Sequence, residues 1–275
     1  MEGKAPERLH LRAMGFCGVD DSISPEFLIF ISQHYPFVEW GVLFRPDLEG
    51  TPRYASRAWF VRLCELQKYR REQATLANIA PQQPMRLAAH LCGSRCQDVL
   101  DGDWEFVAML RGLGFGRVQI NATKANNVFI DRDHIGTAIA NIQKCMVNCP
   151  HVEHILQYNA ETKCICDYFL LNPVENMSIL YDSSCGLGIE MKDFPTPENK
   201  SILHGYAGGI NPKNIAEILK KVETVSCGKP VWIDMESSLR MKVISDNGDI
   251  NDVFSIDKCY SCITVGVELF GLQNI

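Results

Sequence analysis

The residues able to do chemistry sit just past short apolar runs. Cys17 in GFCGVDD, His90 in AAHLCG, Asn121 in QINATK and Asp182 in ILYDSSCGLG each follow such a run. So do Gly208-Gly209 in AGGINPKNI and Asp234 to Arg240 in VWIDMESSLR. A thiol works as base or nucleophile when it ionises, which needs dipoles or a cation nearby. Without them Cys17 is a small buried hydrophobe. Asp182 is either a site carboxylate or a turn residue, and the GLG after it (Gly186 and Gly188) gives its loop backbone freedom. Arg53 in TPRYAS is either a solvated loop residue or a guanidinium fork for a carboxylate. His90 on an apolar run is a core histidine unless ligand partners stand on neighbouring strands.

AGGINPKNI poses a sharper alternative. Two glycines let backbone amides approach an anion, and Asn211-Pro212 looks like a helix start whose free amides point the same way. A tight turn is the plain alternative. No apolar run ends in lysine, which argues against imine-forming chemistry of the Schiff-base aldolase kind.

Eight runs of strand length occur near 9–16, 37–44, 85–91, 117–120, 152–157, 177–181, 201–206 and 230–233. Many are apolar throughout, as strands buried on both faces are. Helical segments separate them. One opens at Ser24-Pro25-Glu26, a cap followed by Pro at the first helical position. Others cover 58–72, 104–113, 131–147, 211–222 and 254–270, with short, weakly helical stretches at 161–169 and 192–199. The alternation predicts a single-domain (β/α)8 TIM barrel, whose site lies at the C-terminal strand ends. The competing arrangement, a doubly wound open sheet, lacks the G-x-G-x-x-G of a dinucleotide-binding version. Extended loops are expected at 45–56 and 241–253. In such a barrel the loops after strands seven and eight commonly hold phosphate. That turns Gly208, Gly209 and Asn211 into a predicted phosphate site.

Of the 275 residues, 46% are hydrophobic and 22% charged, enough for a large core. A net charge of −6 argues against a broad nucleic-acid surface. No run reaches the roughly 18 apolar residues of a membrane span, and the start MEGKAPERLHLRAMGF has no apolar signal core. A cytoplasmic protein is expected. The twelve cysteines are read as reduced thiols. Cys259/Cys262 has CxxC spacing, but no second CxxC converges on it, so no metal and no other cofactor are expected. The sequence leaves a homodimer open.

In chain order, five segments resemble phosphoribosylanthranilate isomerases: FCGVDD, GVLFRPDLEGTPRYAS, ILYDSSCGLGIEMKDF, AGGINPKNIAEIL and VWIDMESS. AGGINPKNI is the specific one. The resemblance implies an Amadori-type aldose–ketose isomerisation of a phosphoribosyl-amine. It places Cys17 at the general base and Asp182 at the general acid. It places Arg53 on the substrate carboxylate. His90, Asn121, Gly186, Gly188 and Asp234 are expected to line the substrate, a small phosphorylated sugar or metabolite, with Ser237, Ser238 and Arg240 completing the phosphate site.

The chain departs from the family at three places in the site. Gly15 stands where the family has a lysine, Asn121 where it has a histidine, and Glu236-Ser237-Ser238-Leu239-Arg240 replaces a glycine-containing loop. Two further readings therefore accompany the isomerase. One is a barrel enzyme acting on another phosphosugar. The other is a non-catalytic barrel that binds a phosphometabolite or a protein.

Overall fold

The computed structural model describes residues 8–76, 85–197, 199 and 201–272. The first residues of the charged N-terminal stretch lie outside these. Eight parallel strands close a barrel in sequence order: β1 (His10–Cys17), β2 (Val38–Phe44), β3 (Arg86–Leu91), β4 (Arg117–Ile120), β5 (Glu153–Tyr158), β6 (Met177–Tyr181), β7 (Leu203–Tyr206) and β8 (Pro230–Met235). β1 pairs with both β2 and β8, so the sheet has no open edge and the doubly wound alternative is excluded.

Helices α1 (Pro25–His34) and α2 (Arg57–Leu76) follow β1 and β2. Pro25 opens α1 as expected, although the Ser24 side chain makes no cap bond. Between β3 and β4 stand two helices, α3 (Ser94–Asp101) and α4 (Glu105–Gly112), where the sequence pattern predicts one. In α3 the buried residues Cys96, Val99 and Leu100 follow helical spacing. The stretch is too short and polar for that pattern to stand out. α5 (Ile135–Asn148) and α6 (Lys163–Leu171) pack outside β4 to β6, and α7 (Ile215–Ser226) follows β7.

α7 starts one turn later than Asn211-Pro212. Asn211 Nδ2 donates to Gly209 O at 2.8 Å, and its backbone N–H donates to Asn214 Oδ1 at 2.8 Å. These bonds fold the Asn-Pro segment into a turn before the helix. The stretch 192–199 is not helical among its described residues. The loop predicted at 241–253 is instead an antiparallel hairpin, β9 (Arg240–Ile244) and β10 (Ile250–Phe254), ahead of α8 (Ile256–Phe270). Met241, Lys242 and Val243 alternate with the period of a strand. The loop at 45–56 is irregular, with a 3-10 turn at Pro46–Leu48. No helix among the described residues is long and apolar enough to cross a membrane.

The strands alternate side chains between the outer helix layer and the barrel interior. Interior space decides what fits. Gly205 on β7 faces Trp232 on β8, and a Cβ on Gly205 would lie 2.1 Å from the indole. The missing side chain lets a fully buried tryptophan plug the lower barrel. Arg117 stacks on that indole, its Cζ 4.2 Å from the ring centroid. The same guanidinium holds Glu39 and Glu153, each at 2.8 Å. Burial alone would raise the Glu153 carboxyl, but Arg117, then Arg12, hold it below the usual carboxylate range.

Gly205→Ala is therefore an overpacking change against a rigid ring. It is expected to lower stability by about 1–3 kcal/mol, read from denaturant midpoints at unchanged slope.

Candidate functional site

The C-terminal strand ends enclose a cavity of about 140 Å³. Most of the predicted site residues line it: Arg53, Asn121, Asp182, Gly186, Gly188, Gly208, Gly209, Asp234, Ser237 and Ser238. Cys17, His90, Asn211 and Arg240 are not among the lining residues. Gln119, Gln157 and Glu236 line it as well. The two glutamines stand just before the ends of β4 and β5, and Gln119 is in the alternation that also turns Asn121 inward. Strand alternation is the signal that marks them, but an amide inside an apolar run is no chemical signature by itself.

Asp182 acts as the anchor of its loop. It accepts from Gln157 Nε2 at 2.5 Å, Ser184 Oγ at 2.5 Å, and the amides of Ser184 and Gly186 at 3.1 Å each. These donors match a carboxylate that accepts on both oxygens. The anchored loop then runs across the mouth and lies on the loop after β7. A Cβ on Gly209 would meet the Glu190 backbone at 2.5 Å, and Gly209 has φ +64. Only glycine tolerates both conditions.

Arg53 reaches the same mouth from the loop after β2. Its Nη1 lies 3.2 Å from Glu236 Oε1 and 3.2 Å from Ser237 Oγ. Its backbone is in the left-handed region at φ 79, held by a 2.7 Å bond from its N–H to Asp20 Oδ2. Glu236 therefore enters the mouth as the partner of Arg53. Burial raises the Glu236 carboxyl, against the pull of Arg53. Burial also raises Asp234 well above the carboxylate range, with Glu39 and Glu236 adding to it.

Arg240 is committed elsewhere. Its guanidinium donates to Asp20 Oδ2 at 2.7 Å, Gly18 O at 3.0 Å, Asp252 Oδ1 at 3.0 Å and Asp252 O at 2.7 Å. The Asp20–Arg240 pair is buried on both sides. It pins the β9–β10 hairpin against the start of the loop after β1.

Cys17 lies below the mouth, fully buried, with Sγ 3.2 Å from His90 Nδ1. The thiol reaches across β2 because Gly41 stands between. A Cβ there would be 2.9 Å from the sulfur. Burial raises the Cys17 thiol well above its ordinary range, and Glu236 and Asp234 add to that. Burial, with Arg117, lowers His90 to about 3. The pair is thus a neutral thiol beside a neutral imidazole. Gly15, where the resembled family carries a lysine, leaves room for a carboxylate: a Cβ on it would sit 2.3 Å from Asp234 Oδ1.

Two features of the mouth lack a protein partner. Among the described residues, the amides of Gly208, Gly209, Ile210, Ser237 and Ser238 donate to no protein acceptor. The buried oxygens Gln119 Oε1 and Gln157 Oε1 accept from no donor.

No family model matches the chain, and no curated protein matches it. Among solved structures it is similar to phosphoribosyl anthranilate isomerase from Thermotoga maritima, at 12% identity and a TM-score of 0.48, covering 92% of this chain and 97% of that one. It is also similar to 3-hexulose-6-phosphate synthase from Salmonella typhimurium, at 12% identity and a TM-score of 0.46, covering 94% and 98%. These likenesses are too distant to carry a substrate or a residue's role across. The barrel stands on its own strand pairing.

Arg240→Met removes one partner of a buried ion pair. It is expected to cost about 3–5 kcal/mol in chemical denaturation.

Proposed function

We propose that this chain binds a small phosphorylated sugar or related metabolite at the mouth of its barrel. The observation that carries this reading is the set of unpaired amides at Gly208, Gly209, Ile210, Ser237 and Ser238, all on residues lining one cavity. Backbone amides converging from two loops are a sound phosphate cradle. The second support is the pair of buried acceptors, Gln119 Oε1 and Gln157 Oε1. An unpaired buried carbonyl is costly, and a sugar hydroxyl supplies the missing donor. Arg53 adds a cation at the rim, where an incoming phosphate would compete with Glu236 for it. The cavity is smaller than the roughly 300 Å³ at which drug-sized sites begin, so the ligand is small or the loop carrying Glu190 shifts on binding.

Calorimetry with ribose 5-phosphate and with inorganic phosphate tests this. Saturable binding of both is expected. Gln119→Leu should weaken the sugar phosphate on the order of tenfold, about one hydrogen bond, and leave inorganic phosphate unchanged. Absence of saturable binding by either ligand would overturn the proposal.

On this site the resemblance implies aldose–ketose isomerisation of a phosphoribosyl-amine. Arg53 and Asp182, both on the cavity wall, support that finer reading. The neutral, buried Cys17 weighs against a thiolate base. Turnover of phosphoribosylanthranilate, with an authentic isomerase run in parallel, decides it. No turnover beside an active control sinks the isomerase and leaves the binding reading standing.

A further inference from the structure

We propose that Cys17, His90 and Asp234 form a zinc site beneath the mouth of the barrel, with one coordination position left open. Cys17 Sγ, a ring nitrogen of His90 and a carboxylate oxygen of Asp234 all lie within 4.8 Å of one another. They come from β1, β3 and β8, and two absences of side chain bring them together. Gly41 opens the gap through which the sulfur meets the imidazole, and Gly15 holds the space that the Asp234 carboxylate enters.

The sulfur and nitrogen are already 3.2 Å apart. With Zn–S near 2.3 Å and Zn–N near 2.0 Å, a tetrahedral ion separates the two donors by roughly 3.5 Å. The carboxylate must close in by about 1 Å, within the reach of an aspartate side chain. A thiolate, imidazole and carboxylate set suits zinc and other borderline ions and is wrong for magnesium or calcium. Charge favours the same ion. The Asp234 side chain forms no hydrogen bond among the described residues and faces Glu39, Glu236 and Asp182. Arg117 offsets part of that repulsion, and a dication would relieve the rest. Binding forms a Zn–S bond and releases the Cys17 proton to solvent. Three protein ligands leave a fourth position open, as in zinc enzymes rather than zinc-stabilised folds. The zinc site is independent of the phosphate cradle above it.

The test uses the full-length protein stripped with a chelator and titrated with Co²⁺, then displaced by Zn²⁺. One equivalent is expected, with the near-ultraviolet thiolate-to-cobalt band and the visible intensity of a four-coordinate ion. Cys17→Ser should abolish the thiolate band. Cys227→Ser, at an exposed cysteine, should keep it. Asp234→Asn should weaken binding at least tenfold. Should Cys17→Ser not fold, the Zn²⁺-dependent rise in Tm is compared between wild type and Asp234→Asn, where a rise confined to wild type is expected. No stoichiometric binding by the wild type, a thiolate band that survives Cys17→Ser, or an equal rise in Tm in Asp234→Asn overturns the proposal.

Discussion

The interior of an eight-stranded barrel is too narrow for eight full side chains in each layer, and this chain answers with glycine. Gly205 yields to Trp232, Gly41 to Cys17, and Gly15 to Asp234. Trp232, capped by Arg117 between Glu39 and Glu153, plugs the lower half. The upper half is therefore a blind cup with a solid floor. Each polar group above that floor is held at a depth set by what its neighbour lacks. A methyl group at any of the three glycines would push a tryptophan, a thiol or a carboxylate out of place before it changed a strand.

The barrel is legible in the sequence because its strands are apolar and separated by helices, so the period-2 and period-3.6 patterns alternate cleanly. The hairpin β9–β10 reads as loop because its two short strands flank the turn-rich Ser245-Asp246-Asn247-Gly248-Asp249. Site residues at strand ends are legible because the fold fixes where strand ends point. What they do there is not. Arg240 follows two serines and a leucine and looks free to meet an anion, yet Asp20, 220 residues away, claims it. Cys17 and His90 are 73 residues apart, so no spacing rule could join them. The gap at Gly41 brings them into contact, and nothing in one sequence marks a glycine as a window.

The mouth combines backbone donors with side-chain acids. Asp182, Asp234 and Glu236 line it, and Arg53 is the cation at its rim. Asp182 is occupied in holding its loop, and Glu236 is occupied with Arg53. The Asp234 side chain faces the cup without a hydrogen-bond partner among the described residues. The three acids thus have separate roles. One positions the backbone, one sets the arginine, and one is left unengaged. That separation explains how a cup with three carboxylates can still present amides to an anion, since the amides sit on the β7 and β8 loops and the spare acid sits deeper.

The Asp20–Arg240 clamp also has a temporal meaning. It ties the loop after the first strand to the hairpin after the last, beside the β1–β8 seam, and Phe254 N–H adds a second tie to Ser22 Oγ at 2.9 Å. During synthesis neither tie can form until β8 and the β9–β10 hairpin have left the ribosome. Until then the first strand lacks its final neighbour and Asp20 lacks its cation. The closing bond of the barrel is thus a contact of very long sequence separation, the kind whose loop-closure entropy slows folding. A folding chain of this protein would wait longest at its seam.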